Sequence, residues 1–300
     1  MKTSVMMYGA AVLLAAGVLP MQGAQPERKP LPVLSEAELG RIDAALPEKA
    51  AAAPKQPRRL LVFHRCEGFV HGGGIVAGNR AIESMGKKTG AFAVDISEDY
   101  GVFTPDNLAK YDVVVLNNTT QLKLSSEARQ ALLDFVRGGK GLVGIHAATD
   151  NFYDWPEGAA MLGGVFDGHP WGGNGTWAFK LDDPKHALNR AFGGQGFKLK
   201  DEIYQFKEPY TREDRRVLLT LDLSDPATGG VQKGVKRADK DFAVAWVKSE
   251  QKGRVFFCGL GHERNVFMEP AVMQFLLDGI QYAAGDLRAN ARPRQPGRAR

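Results

Sequence analysis

The chain has 300 residues, 44% of them hydrophobic and 24% charged, with a formal net charge of +5. That composition supplies an ordinary globular core and excludes a chain that is disordered throughout. Five arginines and no acid fall in the tail Arg288–Arg300, so the excess charge belongs to the tail; the remainder is neutral and offers no basic face to nucleic acid.

The first residues place Lys2 before an apolar stretch from Val5 to Leu19 and a small residue at Ala24. The stretch is shorter than the roughly 20 residues of a spanning helix, which predicts a secretory signal over residues 1–24 rather than a stable membrane span. Export to a periplasmic or extracellular compartment follows as an expectation. Residues 25–57 read as a short helix and linker, because Ser35 and Glu38 form a capping-box pattern ahead of GRIDAAL.

From Arg58 onward, strand and helix patterns alternate. RRLLVFHR, FAVDISED, YDVVVLNNT and GLVGIHA read as buried strands; GIVAGNRAIESMGKKTG and SSEARQALLDFVRGG have helical spacing. Asn151 to Leu223 is less regular, with strand-like TWAFKLDD, EIYQF and VLLTLDL. FAVAWVKS and GRVFFCGLG follow as strands, and PAVMQFLLDGIQYAAGD closes the domain as a helix. Strands separated by helices predict an α/β fold with a parallel sheet, in one domain over residues 58–287. The tail 288–300 reads as basic and disordered.

In open α/β sheets ligands bind beyond the carboxyl ends of the strands. His64 and His71 follow the first strand, His146 ends the fourth, and His262 with Glu263 ends the last; His169 sits in a glycine-rich loop and His186 in DDPKHAL. Three strand ends therefore present histidine at one edge of the sheet. Neutral imidazole can move a proton or ligate a metal, and Asp150 and Glu263 are carboxylates able to orient a histidine or share a cation. No HExxH or close histidine pair exists, so a divalent-metal site would be assembled from distant loops. Phe152, Tyr153, Trp155, Trp171 and Trp177 lie among polar residues after His146, a composition that suits stacking on a sugar or packing of a long loop. GxSxG and GxxxxGK[ST] are absent, which removes serine-hydrolase and phosphate-cradle readings. Cys66 and Cys258 are the only cysteines, and Cys258, in VFFCGL, reads as a small buried hydrophobe.

GIHAATD, the Trp155 loop, LGGVFDGHP and GRVFFCGLGHE together resemble the ThuA-like, trehalose-utilization family, and EGFVH and DEIYQF look like further family segments. The resemblance runs from Arg58 to Asp286. Val70 and Gly72 to Gly74 depart from the family's usual continuation of the first motif. The resemblance implies a flavodoxin-like, class I glutamine amidotransferase-like fold: a three-layer α/β/α sandwich with a mostly parallel sheet. Glutaminases of that fold carry G-x-C-x-G after a central strand, where Gly144 to Ala148 resemble the motif with His146 in the cysteine's place. His262 and Glu263 fall where those enzymes carry histidine and glutamate. Without the sulfur no thioester forms, so glutaminase activity is not expected.

The resemblance further implies disaccharide catabolism through glycosides oxidised at C3, with a small carbohydrate as partner. His146 would then be a base or metal ligand, with His262 and Glu263 an acid or second ligand. His71 and His169 would be ligands or substrate contacts, joined by Trp155, Trp171, Glu202 and Tyr204 in substrate binding. The competing reading is a non-catalytic carbohydrate-binding module on a degenerate amidotransferase-like fold.

Overall fold

The computed structural model describes residues 30–294, and those from Leu31 onward form one compact unit. The expected signal segment and the end of the tail lie outside the described residues.

The first half alternates as the sequence predicts: α1 (Glu36–Ala45), β1 (Arg59–Phe63), α2 (Gly72–Thr89), β2 (Ala93–Ser97), α3 (Pro105–Leu108), β3 (Val113–Asn117), α4 (Ser126–Arg137), β4 (Gly141–Ile145) and α5 (Pro156–Leu162). Short strands follow: β5 (Val165–Phe166), β6 (Thr176–Leu181), β7 (Phe197–Lys200), β8 (Phe206–Lys207) and β9 (Arg216–Leu221). The chain then runs through α6 (Pro226–Gly229), β10 (Ala243–Glu250), β11 (Gly253–Cys258) and α7 (Pro270–Ala283).

Nine strands make one sheet in the order β2-β1-β3-β4-β11-β10-β9-β6-β7. The pairs from β2 through β11 are parallel; those from β11 through β7 are antiparallel. The sheet is thus half parallel and half antiparallel, because the second half is joined by loops and hairpins rather than crossover helices. EIYQF is not a continuous strand: Ile203 makes a single bridge to Trp171, and β8 begins only at Phe206.

Strand alternation builds two cores. Leu60, Val62, Val113, Val115, Val143, Ile145, Phe256 and Cys258 meet α1, α2 and α7 on one face. Leu61, Phe63, Val114, Leu116, Leu142, Val255 and Phe257 meet α4 and α5 on the other. Helices cover both faces, so the inner strands are mostly apolar on both sides, and the three layers are those of an α/β/α sandwich.

Two flanking segments pack more closely than the sequence suggests. In the linker, the backbone of Ala52 exchanges hydrogen bonds with the Gln281 side chain, and Arg58 binds both Asp286 and Asp112. Asn290 accepts from His186, and Arg294 donates to the Asp182 carbonyl, so residues 288–294 dock on the domain rather than hanging free. Polar partners on the sheet's far edge, which composition does not show, hold them there.

Asp278 on α7 is only 3% exposed, with Gln274 donating to it at 2.7 Å. Burial pushes its carboxyl up to about 6, against the opposing pull of Gln274 and Arg190. A raised carboxyl keeps a proton in the folded state that the unfolded chain releases, so stability is lost as pH rises from about 4 to about 6. Asp278→Asn is expected to gain roughly 1–3 kcal/mol over wild type at pH 7.5 and almost nothing at pH 4. Urea unfolding at the two pH values measures this, and an equal gain at both would show that the titration is not the cause.

Candidate functional site

The site lies at the carboxyl edge of the parallel half. β4 ends at Ile145, and His146 follows at φ +45°, a left-handed conformation that a non-glycine residue holds only when its surroundings enforce it. Its ring is fully buried, and Nδ1 lies 3.0 Å from the Gly259 carbonyl just past β11. That contact makes Nδ1 the protonated nitrogen and leaves Nε2 with its lone pair, and Nε2 has no hydrogen-bond partner among the described residues.

His262 comes from the loop after β11, and its position is set by Asp201. The two Asp201 oxygens accept from the Gly261 N–H at 2.8 Å and the Glu263 N–H at 3.0 Å, holding the backbone on both sides of His262. Burial pushes the Asp201 carboxyl up to about 8 against these donors. His71 precedes α2, which approaches the same loop so closely that a Cβ on Gly74 would stand 2.3 Å from the Gly261 carbonyl. His71 Nε2 is 3.2 Å from the Tyr204 hydroxyl.

The three imidazoles form a near-equilateral triangle. Ring centroids are 5.0 Å (His71–His146), 5.1 Å (His71–His262) and 5.2 Å (His146–His262) apart, with planes close to perpendicular. Glu202 completes the group, its Oε1 lying 3.7 Å from both His146 Nε2 and His262 Nε2. One ligand atom from each of the four residues lies within 4.8 Å of all the others.

Burial drives the His71 pKa down to about 2, and the neighbouring imidazoles add to the effect. Burial also lowers His146, with Glu202 opposing it. Glu202 ends below the usual carboxylate range, since His146, His262 and His169 outweigh the burial that works to raise it. His71 and His146 are therefore neutral donors beside a carboxylate. In this tautomer the His146 lone pair faces a carboxylate oxygen that has no proton to give, an arrangement that a cation between them relieves. An ion about 2.0–2.1 Å from one nitrogen of each ring at tetrahedral angles would set the centroids roughly 5 Å apart, as found. The donor set fits a divalent ion held by His71, His146, His262 and Glu202.

Several predicted residues lie elsewhere. His169, 54% exposed at its side chain, is outside the four-residue group and touches Glu202 Oε2 through Nδ1 at 3.2 Å. Asp150 is bound by the Tyr153 hydroxyl rather than by a histidine. Trp155 is buried against Phe152, and Trp171 is buried against Phe242 with its N–H on the Thr228 carbonyl; both are core residues, since neighbouring apolar rings cover their faces. His146 is sealed from solvent, which suits a ligand and not a base that must touch substrate. Cys66 and Cys258 are buried, and burial pushes the Cys258 thiol up to about 12, far from a usable thiolate. Asp201 escaped the sequence reading, although its place beside Glu202 in DEIYQF was visible.

Around His71 and His262 opens a cavity of about 450 Å³, with Glu263 and Phe69 on its walls. No helix among the described residues is long and apolar enough to cross a membrane.

Comparison with known proteins agrees with this architecture. The chain belongs to the ThuA family, described as trehalose utilisation, whose profile matches residues 59–283. A ThuA-like protein of Bacteroides uniformis superposes with a TM-score of 0.65 at 23% identity, over 78% of this chain and 94% of that one. Another, from Parabacteroides merdae, gives a TM-score of 0.58 at 20% identity, over 80% and 98%. At these identities the likeness speaks for the fold. No protein of curated function matches the chain.

The purified protein is expected to hold about one equivalent of a divalent ion, and zinc at about 100 times its Kd should add about 2.7 kcal/mol to the unfolding free energy. His146→Ala should lose most of that gain. A melting temperature indifferent to both zinc and chelator would rule the site out.

Proposed function

We propose that this ThuA-family protein cleaves 3-keto-glycosides by metal-assisted acid–base chemistry outside the cytoplasm. Membership of the family supports a role in carbohydrate utilisation. The observation that carries the mechanism is the group of His71, His146, His262 and Glu202, of which His71 and His262 line an open cavity.

A ketone at C3 acidifies the C2 proton. A divalent ion at the cluster would supply Lewis-acid stabilisation of the negative charge that forms on the C3 oxygen. Glu263 is the base: its side chain is a third exposed on the cavity wall, and its backbone is fixed by Asp201. The C2–H bond breaks, with its proton going to the Glu263 carboxylate and its electron pair to the enolate. The enolate collapses, forming the C1–C2 double bond and breaking the C1–O bond, and the departing oxygen takes a proton from water at the cavity mouth. The hydroxide left by that water adds at C1 and Glu263, its proton exchanged with solvent, protonates C2, which completes a net hydrolysis and regenerates the base. His262, 3.5 Å from the Glu263 carboxylate through Nδ1, couples the base to the cluster.

Glu263→Gln is expected to lower kcat on 3-keto-trehalose by about 10²–10⁴-fold with metal content kept, as for loss of a general base. His146→Ala should lose both metal and turnover. With C2-deuterated substrate the product should lose its label to solvent; retained deuterium, or undiminished turnover in Glu263→Gln, would refute this assignment.

Export belongs to the same proposal and is supported by the apolar stretch Val5–Leu19 behind Lys2. Amino-terminal sequencing of protein from the periplasm or medium should begin at Gln25. A chain found only in the cytoplasm with Met1 in place would contradict it.

A further inference from the structure

The cavity beside the cluster is not built by the family domain alone. Glu38 and Arg41 lie on its wall, yet both belong to α1, upstream of the residues 59–283 that match the family. α1 is held there firmly. Glu38 closes the capping box with Ser35 and also accepts from Arg264 Nη1 at 2.7 Å, two residues past His262. Arg264 and Ser35 together hold the Glu38 carboxyl down to about 2, so the ion pair persists across the physiological pH range. The segment before the helix lies against the start of α2: a Cβ on Gly72 would meet Pro32 at 2.8 Å.

Arg41 stands three residues after Glu38, on the same face of the helix. Across the cavity Phe69 is 67% exposed, its ring edge-on to His71 at 4.8 Å between centroids. An exposed aromatic ring at a cavity rim, next to a guanidinium and the Asn265 amide, gives a flat face for sugar C–H groups and donors and acceptors for hydroxyls. Two guanidinium groups, Arg41 and Arg264, are balanced by two carboxylates, Glu38 and Glu263, so the walls carry no net field that would select a phosphate or a carboxylate.

We infer that α1, with Phe69 opposite, forms a second sugar subsite for the leaving glycosyl unit, so that this chain takes neutral disaccharides. The inference rests on the proposed glycoside chemistry for the direction in which the substrate lies, with the reacting sugar at His71 and His262 and its partner outward. The volume of about 450 Å³ is in the range of a small-molecule site.

Unoxidised sugars lack the acidified C2 proton, so their binding can be measured without turnover. In calorimetric titrations of the full, metal-loaded chain, trehalose should bind at least about tenfold more tightly than methyl α-glucoside, a difference of about 1.4 kcal/mol. Arg41→Ala and Phe69→Ala should each bring that ratio close to one, with metal content unchanged; both side chains are exposed and outside the core. The inference is overturned if wild type does not prefer the disaccharide, if it binds neither sugar, or if the preference survives both substitutions. Tighter binding of trehalose 6-phosphate than of trehalose would also overturn it, in favour of an anionic substrate. A preserved ratio change with no turnover of 3-keto-trehalose would remove the proposed mechanism and leave the subsite standing.

Discussion

The hydrogen bond from His146 Nδ1 to the Gly259 carbonyl governs the site. It joins the ends of two adjacent parallel strands, β4 and β11, and it decides which nitrogen of a wholly buried ring carries the proton. With Nδ1 committed, Nε2 can only accept, and it faces Glu202 Oε1 at 3.7 Å. The positive φ at His146 turns the ring into this position, and the packed strands around it sustain the strain. A ring that could flip would leave the triangle without a defined centre.

The electrostatics of the group then have one consistent solution. Burial keeps His71 and His146 neutral, so they cannot neutralise Glu202 by protonation. The carboxylate is nonetheless held below its ordinary range by the surrounding imidazoles. Neutral lone pairs arranged around a half-buried anion make a donor set for a cation, and the backbone carbonyl behind His146 is the outer partner that fixes a ligating histidine. His169 takes the second oxygen of Glu202 from the outside, which leaves the first for the interior.

The parallel half of the fold was legible because its signal is local. Apolar runs of five residues such as VVVLN and GLVGI, separated by helical spacing, can be read one at a time, and the strand-end rule then places His146 and His262 at one edge. What was not legible depends on pairing across long sequence distances. Glu202 reaches the cluster from an irregular stretch between β7 and β8, in the antiparallel half, where no period announces which side chain turns inward. Trp155 and Trp171 have the composition of a sugar platform, but Phe152 and Phe242 cover them in the core. Asp150 is near His146 in sequence, yet the turn that follows β4 directs its carboxylate to Tyr153.

The division of the sheet also separates two tasks that one site must perform. Strand ends in the parallel half, where most inner positions are apolar and buried, supply the histidines from a packed frame. Segments outside that frame, the Glu202 loop and α1, supply the carboxylate and the outer wall. A rigid interior suits a cation site, whose geometry tolerates little error, whereas a wall contributed by a separate helix can differ without disturbing the rings. The same histidine triangle could thus serve different sugars according to what is packed against Phe69.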